Sequence, residues 1–149
     1  MAYFRKATLG SLLASVVVIS ACSMMPMTTK AGDASATLSA ASEVPPTQSG
    51  ATGTLQAHVN KDTNLLSWTV SYSGLSGPAT GGHFHGPAMA GSNAGVVVPF
   101  SGSLASPING TATLTAAQMA DLMAGKWYVN LHTAANPGGE IRGQVMVKP

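Results

Sequence analysis

The segment TGTLQAHVNKDTNLLSWTVSYS, residues 52–73, decides the fold. Its first half alternates: Leu55, Ala57 and Val59 share one side, with polar residues between them. Its second half alternates again, with Leu66, Trp68, Val70 and Tyr72 on a common face. A period of two marks a strand with one face in a core and the other toward water. Between the halves, Asn60-Lys61-Asp62-Thr63-Asn64 is wholly polar, as suits a hairpin connection.

The same signals extend in both directions. Upstream, Thr37–Val44 reads as a strand that stops at Pro45-Pro46, since proline cannot continue a ladder. Downstream, Thr80–His85 is short and extended and ends at Gly86-Pro87. Gly95–Phe100 carries the run Val96-Val97-Val98, and Asn109–Leu114 is rich in threonine. Lys126–Thr133 aligns Trp127, Val129 and Leu131, and Glu140–Val147 aligns Ile141, Val145 and Val147. One helix interrupts the series. Thr115 is a good N-cap, Ala116 to Ala124 are mostly helix formers, and Gly125 suits the stop. So short a helix must pack through Met119, Leu122 and Met123 to persist. Seven or eight short strands at regular spacing predict an all-β sandwich or barrel with one short helix. Trp68 and Trp127 are the expected anchors of its core.

Composition agrees with one folded domain. The chain has 149 residues, of which 8% are charged and 45% hydrophobic. So few charges exclude a charge-driven disordered chain. A single cysteine excludes a disulfide scaffold and a cysteine-clustered zinc site. That cysteine closes an N-terminal address. Arg5 and Lys6 precede an apolar stretch too short to span a bilayer, and Ile19-Ser20-Ala21-Cys22 resembles the bacterial lipobox. The expected organisation is a signal peptide over 1–21, a lipidated tether over 22–35 and a β domain over 36–149. The lipobox implies cleavage before Cys22, a lipid on its sulfur and attachment to the membrane. Ser23 in place of aspartate favours the outer membrane in a Gram-negative host. Without Arg5 and Lys6, five basic residues (Lys30, Lys61, Lys126, Arg142, Lys148) balance five acidic ones (Asp33, Glu43, Asp62, Asp121, Glu140). A neutral domain has no electrostatic means of gripping nucleic acid. The methionines at 24, 25 and 27 read as part of the linker rather than as a copper(I) site.

Few residues can carry chemistry. His83-Phe84-His85 puts two imidazoles on one face of a strand and Phe84 on the other. Flanking glycines leave the strand end open. His132 belongs to the face opposite Trp127, Val129 and Leu131, at the edge of a loop. These three histidines are the candidate ligands of copper or zinc. Glu140 is a candidate fourth ligand or a partner that orients an imidazole. The competing reading has the histidines bonded to backbone carbonyls, hydroxyls or Glu140 as purely structural groups. Glu140 and Arg142, two apart on one expected strand, form a candidate polar network that Glu43 could join. His58 faces away from the core and reads as a surface residue. No nucleophile–base set is visible, so no enzymatic activity is expected.

Several blocks resemble the CHRD domain, named for chordin and found also in secreted bacterial proteins. They are Ser42–Pro46, Gly74–Gly77, His83–Ala88, Leu122–Asn130 and His132–Gln144. The resemblance covers about 36–147. It implies an immunoglobulin-like β domain similar to copper/zinc superoxide dismutase, whose copper strand also carries an H-x-H. Dismutase activity is not expected, because that site needs more histidines and an aspartate on zinc. Two functions then compete: a lipid-anchored envelope module that binds a protein or surface polymer, and an envelope copper or zinc binder.

Overall fold

A computed structural model of the chain describes Met1 and residues 31–148. The expected signal peptide, Cys22 and the tether as far as Lys30 lie outside the described residues. Nine strands and one helix follow: β1 Ala31–Ser39, β2 Thr52–Asn60, β3 Leu65–Ser73, β4 Ala79–His85, β5 Val96–Pro99, β6 Ile108–Thr113, α1 Ala116–Met123, β7 Tyr128–Thr133, β8 Ile141–Gln144 and β9 Met146–Lys148. Every pairing is antiparallel. The strands run in the order β5-β4-β7-β8-β1-β2-β3-β6, and β9 adds to β1. Among the described residues no helix is long and apolar enough to cross a membrane.

The deciding hairpin forms as its pattern dictates. Leu55 pairs with Val70, Ala57 with Trp68 and Val59 with Leu66. Asn64 turns the chain at φ 56°, a left-handed conformation that asparagine tolerates. The sheet folds on itself, so that Trp68 of β3 meets Phe84 of β4 edge-on at 5.2 Å and stacks on Phe100 at 5.3 Å. Trp127 completes the aromatic core against Phe84. Gly110 makes room for this, because a Cβ there would overlap the Trp68 indole. The helix is capped reciprocally: Gln118 N–H donates to Thr115 Oγ1, and Thr115 N–H donates to Gln118 Oε1. Leu122 and Met119 are buried beneath it, and Met123 packs at its edge.

Three of the boundaries that differ from the expectation change the pairing of the strands. Strand β1 begins at Ala31, so residues 31–35, read as tether, are paired with β2 from Ala31↔Asn60 to Ser35↔Gln56. Its inward positions are Gly32, Ala34, Ala36 and Leu38, mostly too small to give a hydrophobic signal. The same strand ends at Ser39 in a 3-10 turn over Ala40–Ser42, where Glu43 N–H donates to the Ala40 carbonyl. The last strand is divided at Val145, because the chain changes partner there. Strand β8 pairs chiefly with β7 and β9 with β1, while Val145 N–H donates to the Trp127 carbonyl.

Strands β4, β7 and β8 carry a second layer on the side away from the core. Register sets His83 against Asn130 and Asn130 against Arg142; it sets His85 against Tyr128, and Tyr128 against Gln144. The segments around 40–51 and 86–95 roof this layer. Asn93 Nδ2 donates to the Val44 carbonyl, Arg142 Nη2 to Ser92 and Gln144 Nε2 to Ala88. That roof explains why Tyr128, Asn130 and Arg142 are buried although they point outward.

Candidate functional site

His83 and His85 project from β4, and His132 projects from β7 beside Gly81. The three rings meet. His83 Nδ1 lies 3.1 Å from His132 Nε2, and the ligating atoms of all three lie within 4.8 Å of one another. Gly81 is on the same face, and a Cβ there would touch the His83 ring at 3.2 Å and the His132 ring at 3.6 Å. Its lack of a side chain lets the two rings lie close over the strand.

Backbone carbonyls fix two of the rings. A carbonyl can only accept, so His85 Nδ1–H donates to Ala94 at 3.0 Å and His132 Nδ1–H to Pro137 at 2.9 Å. Neutral imidazole has one N–H, so both Nε2 atoms present lone pairs. Both face the same atom, Asn130 Oδ1, at 3.1 Å and 3.0 Å. Lone pairs set against a lone pair repel unless a cation or proton lies between them. A proton on His83 or His85 is disfavoured. Burial, then the neighbouring His132 and His85, hold the His83 pKa below the usual range. Burial also lowers that of His85; its bonds to Ala94 and Asn130 oppose this, while His132 and Arg142 add to it. Two imidazoles whose other nitrogen is tied to a carbonyl are arranged as metal ligands are. Tyr128 stacks flat on His85 at 4.7 Å, and from the β8 side the Arg142 guanidinium lies 3.3 Å over the tyrosine ring.

Two expectations require correction. Glu140 is neither a fourth ligand nor a partner of the histidines. Its carboxylate accepts from Ser49 Oγ, Ser76 N–H, Ser76 Oγ and Thr133 Oγ1. Burial raises its pKa, but these hydrogen bonds outweigh burial and hold it down at about 2. Nor does Glu140 share a network with Arg142, which instead donates to Asn93 Oδ1 and the Ser92 carbonyl. The shared face required a continuous strand, and β8 begins only at Ile141, after Gly139 turns the chain at φ 130°. Glu43 does approach Arg142. Burial raises its pKa, and the Arg142 charge, the Val44 N–H and the Asn130 amide pull it back. His58 is on the surface, within 3.3 Å of Asp33, as expected.

Asn130 escaped the sequence reading, although its signal was present. Asn130-Leu131-His132 repeats the period of His83-Phe84-His85 on the facing strand. No curated protein and no solved structure matches this chain. The CHRD domain matches residues 34–145, which include the whole of the histidine cluster and most of the strands around it. The chain belongs to the CHRD domain family.

Proposed function

We propose that this CHRD domain is an exported, lipid-anchored binding module of the cell envelope, without catalytic activity, that holds one copper or zinc ion through His83, His85 and His132. The observation that carries the metal is the convergence of three imidazole nitrogens: the Nε2 lone pairs of His85 and His132, fixed by the Ala94 and Pro137 carbonyls, and beside them His83 Nδ1, which can donate to His132 Nε2 or give its own lone pair to an ion. Two ligand atoms each about 2.1 Å from one ion stand roughly 3.0–3.4 Å apart at right-angle to tetrahedral geometry. The His83–His132 separation of 3.1 Å already falls in that range. The widest pair needs only a small ring movement to close on an ion. Anchoring rests on Ile19-Ser20-Ala21-Cys22. A protein or surface polymer is the further partner, and neutral charge disfavours nucleic acid.

Titration of the untagged protein with Cu(II) and Zn(II) at neutral pH tests the metal. We expect one equivalent to bind wild type and none to bind His83→Ala. Absence of uptake by wild type would leave the three rings as structural groups. Replacing Cys22 with serine tests the anchor: the protein should leave the membrane fraction for the soluble one. Unchanged membrane association would overturn lipidation.

A further inference from the structure

We propose that Asn130 supplies a fourth, oxygen ligand to the same ion and that Glu43 is the positioning residue that turns its carboxamide. This rests on the metal reading above and extends it to a site of three nitrogens and one neutral oxygen. Such a set suits a divalent borderline ion, Cu(II) or Zn(II), better than Cu(I), which prefers softer ligands.

The carboxamide is placed as a ligand is placed. Asn130 is buried, at 3% exposure, in the middle of β7, so neither solvent nor loop motion sets its direction. Its Oδ1 is about equally far from His85 Nε2 and His132 Nε2, at 3.1 Å and 3.0 Å. The carbonyls behind those rings leave neither Nε2 a proton to give it. As a hydrogen-bond arrangement this leaves one acceptor facing two. As a coordination set it leaves three ligand atoms facing one point, with His83 Nδ1 beside them.

The other end of the amide explains its orientation. Glu43 is also buried, at 5% exposure, and its Oε1 has no conventional hydrogen-bond partner. The Asn130 amide nitrogen and this carboxylate lie together against the Cα of Gly139, where a Cβ would overlap Glu43 Oε1 and come within 2.9 Å of Asn130 Nδ2. An unpartnered acceptor oxygen on that side attracts the NH2 group and so directs Oδ1 toward the rings. Reversal of the amide would set its oxygen against the carboxylate. An ion at the focus would satisfy the facing lone pairs and let the amide draw on Glu43 more strongly.

The test uses the untagged full chain titrated with copper(II) sulfate, with thermal melting as a check on folding. Asn130→Leu keeps the volume and removes the oxygen; we expect roughly 10–100-fold weaker binding. Glu43→Leu should weaken binding over a similar range, while Glu43→Gln, which retains an oxygen toward the amide, should restore most of it. Wild-type protein carrying 13C in its asparagine carboxamides gives an assay independent of variant folding. Pulsed electron paramagnetic resonance of its Cu(II) form should show a 13C coupling. Wild type that binds Cu(II) without that coupling, or Asn130→Leu with unchanged affinity, would overturn the role of Asn130 and leave the three-histidine site standing. Glu43→Leu with wild-type affinity would overturn the role of Glu43. Wild type that binds no Cu(II) or Zn(II) would remove the metal reading itself.

Discussion

Replacement of Glu140 with glutamine should cost about 3 kcal/mol of folding stability at neutral pH, and that cost should shrink in acid. The carboxylate is fully buried and no basic side chain pairs with it among the described residues. Two serines and a threonine hold it charged: Ser49 Oγ at 2.6 Å, Ser76 N–H at 2.8 Å, Ser76 Oγ at 2.6 Å and Thr133 Oγ1 at 2.5 Å. Its pKa falls from 4.5 to about 2. At 1.36 kcal/mol per unit, that difference is worth roughly 3 kcal/mol. A pKa depressed by folding contributes stability that is complete above the unfolded value and lost as pH falls toward the folded one. The wild-type protein should therefore lose stability between about pH 5 and pH 2, and Glu140→Gln should lack that part of the profile. Glutamine offers one acceptor oxygen where the carboxylate offers two. Its oxygen can keep Ser49 Oγ and Ser76 N–H, but its NH2 then faces the Ser76 and Thr133 hydroxyls, which must turn to accept and lose their bonds to a charged oxygen. Urea midpoints at neutral pH and at about pH 3 measure both effects. Equal midpoints at neutral pH, or a difference that does not narrow in acid, would show that the charged carboxylate is not what ties these loops.

Gly143→Ala should be the most damaging addition of a single methyl group, at about 3 kcal/mol, the upper end of ordinary overpacking. Gly143 is on β8, on the side facing the core, where the half of the sheet that carries the histidines joins β1. An added Cβ would overlap the Thr37 carbonyl oxygen and lie 2.9 Å from its carbon and 3.2 Å from Ala36 Cβ. Flexible side chains can yield to such a group; a paired backbone cannot. Relief requires β8 to separate from β1, where Ser39 pairs with Arg142. Gly50→Ala is the control, since nothing lies within 4 Å of a Cβ there. Comparable denaturation midpoints for the two variants would mean that the joint between β8 and β1 is not closely packed.

Much of this architecture was legible because period-two alternation is a local signal. The hairpin of β2 and β3, the helix with its Thr115 cap, and the pairing of His83 with His85 all follow from neighbours along the chain. What was not legible depends on contacts between distant segments. Ala34 and Ala36 belong to a strand only because β2 lies beside them. Glu140 turns toward Ser49 and Ser76 because Gly139 reverses the chain first. Sequence alone places His132 near His83 only if the β4–β7 register is known, and that register follows from Phe84 and Val129 packing inward together. Asn130 carries no mark as a candidate ligand until the carbonyls of Ala94 and Pro137 are seen to hold the N–H of each neighbouring ring.

The histidines and the aromatic core share strands but occupy opposite faces of them: Phe84 turns one way, and His83 and His85 the other. Chemistry and solidity are thereby separable in this protein. Of the outward residues, the half-buried His83 and His132 can be exchanged without entering the aromatic core, whereas the buried His85 and Asn130 are tied to the roof and to each other.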